Sequence, residues 1–79
     1  MIIRRKYIPL DKNFEYRVIY MKSSTQEALK ILLVRKAFDE EGNIALIKTV
    51  SGVEFHGNKV TEFLNFIREL LKESVNQGE

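Results

Sequence analysis

Apolar and polar positions alternate most clearly over Phe14–Met21. Phe14, Tyr16, Val18 and Tyr20 fall on one side, and Glu15, Arg17, Ile19 and Met21 on the other. A period of two in a segment rich in aromatic and β-branched residues predicts a strand. Glu27–Phe38 supports two readings. Ser24 and Glu27 have capping-box spacing, and Leu29, Leu32, Leu33 and Lys36 recur as they would on a helix. As a strand, Ile31, Leu33, Arg35 and Ala37 share one side, with Leu32, Val34, Lys36 and Phe38 on the other. The next dozen residues favour the strand. Asp39–Asn43 is a short turn in which Gly42 is free to take a positive φ, and Ile44–Val50 is another β-like run, so the two runs read as a hairpin. Ser51-Gly52 reads as a break or bend, and Val53–Phe55 as a short last strand.

Gly57-Asn58 then punctuates the chain, and the pattern changes to a helical one from Lys59 to about Glu73, with Asn58 as N-cap. Val60, Phe63, Leu64, Phe66, Ile67, Leu70, Leu71 and Val75 are its apolar positions. They cover more of the circumference than the stripe of an ordinary surface helix. One sheet face would cover Val60, Leu64, Ile67 and Leu71. Phe63, Phe66 and Leu70 would then lie to the side, where the same helix of a second copy is the simplest cover; a wider core within one chain is the other account. Residues 1–13 read as a basic arm with room for a short strand at Met1–Tyr7, ended by Pro9 and Asp11-Lys12-Asn13. Residues 14–75 form one domain, and 76–79 a flexible tail.

Composition narrows the options. A chain of 79 residues makes a single domain with a marginal core. It holds no Cys and one His, His56, so disulfides, thiolate metal sites and His clusters are excluded, and oligomerisation becomes the expected means of stabilisation. His56 beside Gly57 reads as a turn residue. No apolar run reaches the length of a membrane-spanning helix, and Arg4-Arg5-Lys6 comes directly after the first three residues, unlike an export signal. An intracellular location, in cytoplasm or nucleoid, is expected. The charge is sharply divided. Residues 1–38 carry nine Lys/Arg against three acids, a net of +6, and residues 39–79 carry four against eight, a net of −4. A basic, strand-rich half is the footprint of a polyanion-binding surface.

The order strand, strand, turn, strand, Gly, short strand, helix resembles the positive cofactor 4 family of transcriptional coactivators and its prokaryotic relatives. The resemblance spans roughly Phe14–Lys72. It rests on Val34-Arg35-Lys36-Ala37-Phe38, similar to the family's apolar-Arg-x-x-aromatic strand end, on the charged turn with Gly42, on Lys48, and on Gly52-Val53-Glu54-Phe55 leading into the helix. The Lys22–Ala28 link is longer than the family's, Lys48-Thr49-Val50-Ser51 stands where the family often has a lysine cluster, and Phe63 stands near a common Trp. The resemblance implies an α+β fold: a curved four-stranded antiparallel sheet followed by one C-terminal helix, dimerising through the helices and binding single-stranded DNA on the sheet. It implies that Arg35 contacts phosphate or a base edge, that Phe38 is a stacking platform, and that Lys30 and Lys48 contact phosphate, with Arg17 and Lys22 next.

The residues themselves support such a surface. Binding of single strands uses cations along the backbone and aromatic faces under the bases. Tyr16, Arg17, Tyr20, Lys22, Lys30, Arg35, Lys36, Phe38 and Lys48 supply both chemistries, and Phe63, Phe66 and Leu70 are the expected dimer contacts. Phe38 can equally be core, and Tyr16 and Tyr20 share a side with Phe14 and Val18, which favours core for both. No nucleophile–base set, phosphate loop or dinucleotide fingerprint occurs, and Asp39-Glu40-Glu41 reads as a solvated turn, so neither an enzyme nor a cofactor is expected. The expected function is sequence-tolerant binding of single-stranded DNA, with RNA as the other candidate, in transcription or genome maintenance. Transcription machinery is a further expected partner. The alternative is a protein-interaction module in which Glu27–Phe38 is helical and the apolar face of the last helix docks on another protein.

Overall fold

In a computed structural model, which describes residues 1–77, four strands form one antiparallel sheet and a single helix follows. The strands are β1 (Ile2–Pro9), β2 (Phe14–Lys22), β3 (Glu27–Phe38) and β4 (Ile44–His56), in the spatial order β1-β2-β3-β4, and the helix is α1 (Asn58–Gln77). Each strand therefore pairs with its neighbour in sequence, as short connections favour. Glu27–Phe38 is a strand throughout, so the reading with a second helix is excluded.

Four strands were expected, but two of them arise differently. The basic arm is a regular strand whose eight residues all pair with β2, from Ile2 opposite Lys22 to Pro9 opposite Glu15. The segments Ile44–Val50 and Val53–Phe55 are one strand, continuous through Ser51-Gly52. Gly52 does not break the ladder. It lies opposite Leu32, and a Cβ there would sit 2.7 Å from Leu32 Cδ2. Two irregularities occur instead where Val50 and Ala45 are skipped in the pairing with β3, the bulges by which an edge strand bends and resists further pairing.

The turns arise from local chemistry. Asp11 Oδ1 accepts hydrogen bonds from the backbone N–H groups of Asn13 (2.8 Å) and Phe14 (2.9 Å), closing the β1–β2 connection. Ser23, rather than Ser24, organises the β2–β3 turn, its Oγ accepting from the Gln26 N–H at 3.1 Å. Asp39 Oδ1 accepts from Glu41 and Asn43, and Gly42 has φ 86° as anticipated. Gly57, at φ 59°, turns the chain from β4 into α1; its N–H donates to the Glu27 carbonyl (2.8 Å) and its carbonyl accepts from Val60.

The core is small. Leu29, Val34 and Val60 are the buried apolar residues among those described. α1 packs at one end of the sheet, with Val60 fully buried and Phe63 stacked on Phe55 at 4.3 Å between ring centroids. Leu64, Ile67 and Leu71, expected under the sheet, are 43%, 37% and 64% exposed. α1 runs past the expected end at Glu73 and includes residues 76 and 77 of the expected tail; residues 78 and 79 and the side chain of Val75 lie outside the described part.

Candidate nucleic-acid interface

Because side chains alternate across a strand and cross-strand partners share a face, the register assigns every sheet residue to one of two faces. The helix-side face carries Leu29 and Phe55, on which α1 packs. It also carries Phe14, Tyr16, Val18 and Tyr20 from β2, Ile31, Leu33 and Arg35 from β3, and Lys48 and Val53 from β4. The outer face carries Arg5 and Tyr7 from β1, Glu15 and Arg17 from β2, and Lys30, Leu32, Val34, Lys36 and Phe38 from β3, with Glu54 from β4.

The expected nucleic-acid residues thus divide. Arg17, Lys30, Lys36 and Phe38 share the outer face. Arg35 and Lys48 form a directly opposed pair on the helix-side face, at the end far from α1, where they line a shallow cleft of about 130 Å³ with Ala37 and Leu46. Lys22 is on the helix-side face at the opposite end, beside the Ser23–Gln26 turn, and joins neither group. Of the expected dimer contacts, Phe63 turns inward onto Phe55, whereas Phe66 and Leu70 are 57% and 43% exposed.

The outer face is organised around Glu15. Its carboxylate is 2.6 Å from Arg17 Nε and 3.1 Å from Lys36 Nζ, with side-chain exposures of 9% for Glu15, 26% for Arg17 and 21% for Lys36. The hydrogen bond from Arg17, then that from Lys36, holds the carboxyl below the usual carboxylate range, against a smaller opposing effect of burial. One carboxylate serves two cations, so the triad keeps a positive charge. Arg17 offers one of its five N–H donors to Glu15 and retains others for a ligand. The Arg17 guanidinium also lies over the Tyr7 ring, 4.7 Å from its centroid.

A second cation–aromatic pair lies at the far end, where Lys12 Nζ is 5.5 Å from the centroid of Phe38. The β1–β2 turn that carries Lys12 is fastened to β3. The Lys36 N–H donates to the Asn13 carbonyl at 2.6 Å, and Asn13 Nδ2 donates to the Lys36 carbonyl at 3.1 Å. Lys30 pairs with Glu54 at 3.3 Å in a contact well exposed to water. Such a pair contributes little to stability and exchanges readily for another anion.

Sequence reasoning missed Tyr7 and Lys12, and read Arg5 only within Arg4-Arg5-Lys6, an arm that either touches phosphates or serves as a solubilising end. Arg5 and Tyr7 sit in the segment read as an arm, and Lys12 reaches Phe38 across 26 positions of chain. Only the pairing of β1 with β2 brings them to this face. With them, the outer face gathers five cations against Glu15 and Glu54, and two aromatic rings each beside a cation. No group of metal-ligating side chains occurs among the described residues, and no helix among them is long and apolar enough to cross a membrane. The fold and this face define an open-sheet ββββα domain with a cationic, aromatic surface. No family model, curated protein or solved structure matches the chain.

Proposed function

We propose that this protein binds single-stranded nucleic acid, DNA in the first place, with little regard for sequence, through the outer face of its sheet. The supporting observation is the pairing of Tyr7 with Arg17 and of Phe38 with Lys12 on one open face. Rings beside cations are what a flexible polyanion with exposed base faces requires: phosphates meet Arg5, Lys12, Arg17, Lys30 and Lys36, and bases stack on Phe38 and Tyr7. The cross-strand pair Arg35–Lys48 is a second positive patch on the reverse face, close to the end that carries Phe38. The protein acts by binding rather than by catalysis. It works as a homodimer in transcription or genome maintenance, where single strands are exposed.

Anisotropy of labelled single-stranded DNA, single-stranded RNA and duplex DNA, each across a salt series, tests this reading. Single strands should bind more tightly than duplex, with affinity falling linearly in log–log salt. Phe38→Ala should cost about 1–3 kcal/mol of binding, the worth of one stacked base, without unfolding the domain. Absence of salt-sensitive binding to any of the three would rule the function out. Unfolding of Phe38→Ala would make that residue a structural one.

A further inference from the structure

Where β4 turns into α1, the sheet ends in a cavity of about 510 Å³. Three of the residues lining it form the last row of the outer face: Met21, Ala28 and His56 lie directly opposite one another on β2, β3 and β4. Neighbouring strands are about 4.8 Å apart, so Met21 and His56 stand about 10 Å from each other across the single methyl group of Ala28. A flat ring needs about 7 Å between the groups above and below it, so the row makes a slot for one ring. Both flanks of the slot are fastened. Ser23 Oγ accepts from the backbone N–H groups of Thr25 (3.4 Å) and Gln26 (3.1 Å), and the Gly57 N–H donates to the Glu27 carbonyl. The cavity thus stands formed without a ligand and has the size of a small-molecule site.

Charge and position identify what fits there. Lys22, which belongs to neither cationic group of the sheet, lines the cavity and has no ion-pair partner among the described residues. Glu27, the acid that lines it, is engaged by the Tyr20 hydroxyl at 2.5 Å. The Gln26 side chain is exposed and can turn either its donors or its acceptor toward a base edge, which suits a site indifferent to sequence. Lys30, the nearest outer-face cation, is two residues from Ala28 along β3, about 7 Å. Arg5 shares the row of Lys30, and Arg17, Lys36 and Lys12 follow in the direction away from the cavity; no outer-face cation lies beyond it. A strand that tracks these cations toward α1 runs out of sheet at the slot. We propose that the cavity seats the phosphorylated end of a bound single strand, with the last base between Met21 and His56 and the end phosphate at Lys22. The proposal rests on the nucleic-acid reading and adds to it a fixed stopping point for the strand.

The test is anisotropy of the full chain with one internally labelled single-stranded oligonucleotide that carries a phosphate on its 5′ end, on its 3′ end or on neither. A phosphate on one end should raise affinity roughly tenfold, the worth of one hydrogen-bonded charge, and a phosphate on the other end should not. Lys22 and His56 are both exposed, so Lys22→Gln and His56→Ala should fold as the parent does, with equal urea midpoints. Lys22→Gln should abolish the gain and His56→Ala should cut it severalfold. Both variants should bind the unphosphorylated strand as the parent does, because the outer face holds it. Equal gains at the two ends, or a gain that survives Lys22→Gln, would mean that the extra phosphate meets the outer-face cations as one more charge, and would overturn the seat. No gain at either end, with salt-sensitive binding intact, would overturn the seat and leave the function standing. A mononucleotide that removes the gain at the concentration of the strand itself would make the cavity a site for free nucleotide and overturn the strand-end assignment. Failure of every oligonucleotide to bind would overturn the function and the seat together.

Discussion

Glu15 is the residue on which the outer face depends. A carboxylate at a cationic surface looks like a defect, since it repels phosphate. Its burial between Arg17 and Lys36 resolves this: the acid fixes two long side chains in place, and its own charge is spent on them. Because its native pKa is depressed, its contribution to stability is complete above the ordinary carboxylate value of 4.5 and is lost as pH falls from there through the native value. Glu15→Gln should therefore flatten the acid limb of a stability-against-pH curve, measured by urea midpoints from neutral pH downward. At neutral pH the same variant frees two cations and should bind oligonucleotide at least as tightly as the parent. The reverse-face pair makes the opposite case. Arg35 and Lys48 are like charges directly opposed across two strands, an arrangement that costs stability. Lys48→Glu should stabilise the fold by about 0.2–1 kcal/mol in thermal or urea unfolding. If that gain comes with weaker DNA binding, the pair is kept for a ligand; if binding is unchanged, the outer face works alone.

At the scale of elements, what the sequence reveals depends on whether the two faces of a strand differ. In β2 one side is apolar throughout and the other begins with Glu15 and Arg17, so the alternation of Phe14–Met21 is legible and its side assignments hold in the structure. In β1 neighbours resemble each other: Ile2 with Ile3, and Arg4 with Arg5 and Lys6. Neither face stands out, and the strand reads as an arm. In β4, Ser51-Gly52 reads as a break although both residues pair with β3, so a single strand of 13 residues reads as two runs, and the bulges at Ala45 and Val50 each shift the alternation by one residue. The division of the expected site has the same origin. Lys30, Arg35, Lys36 and Phe38 are close in sequence, but odd and even positions of β3 face opposite ways, and only the packing of Phe63 on Phe55, opposite Leu29 in the register with β4, says which face α1 takes. Turn chemistry is local and therefore readable: Gly42 has the positive φ that the hairpin requires. Gly42→Ala meets no steric obstacle, so its cost is conformational, about 1–2 kcal/mol, and Gly42→Asn should recover part of it in the same unfolding measurement.

On the whole-molecule scale, the net charge of +2 conceals how the protein would meet a polyanion. Arg5, Lys12, Arg17, Lys30 and Lys36 project onto one face, whereas most of the acids belong to the β3–β4 turn and α1. Affinity that grows from phosphate contacts should therefore depend on salt far more steeply than the net charge suggests. Single strands contribute about 0.7 to the log–log slope per phosphate neutralised, so engagement of all five cations gives a slope near −3.5 per copy. Stacking on Tyr7 and Phe38 releases no counterions, and duplex DNA cannot offer it without unstacking its bases. The two contributions should then separate by mutation. Lys12→Ala or Lys36→Ala should each reduce the slope by about 0.7 and leave the preference for single strands over duplex in place. Combined Tyr7→Ala and Phe38→Ala should abolish that preference and leave the slope unchanged. A slope that falls with the aromatic variants, or a preference that vanishes with a lysine variant, would show that cations and rings do not lie along one shared path.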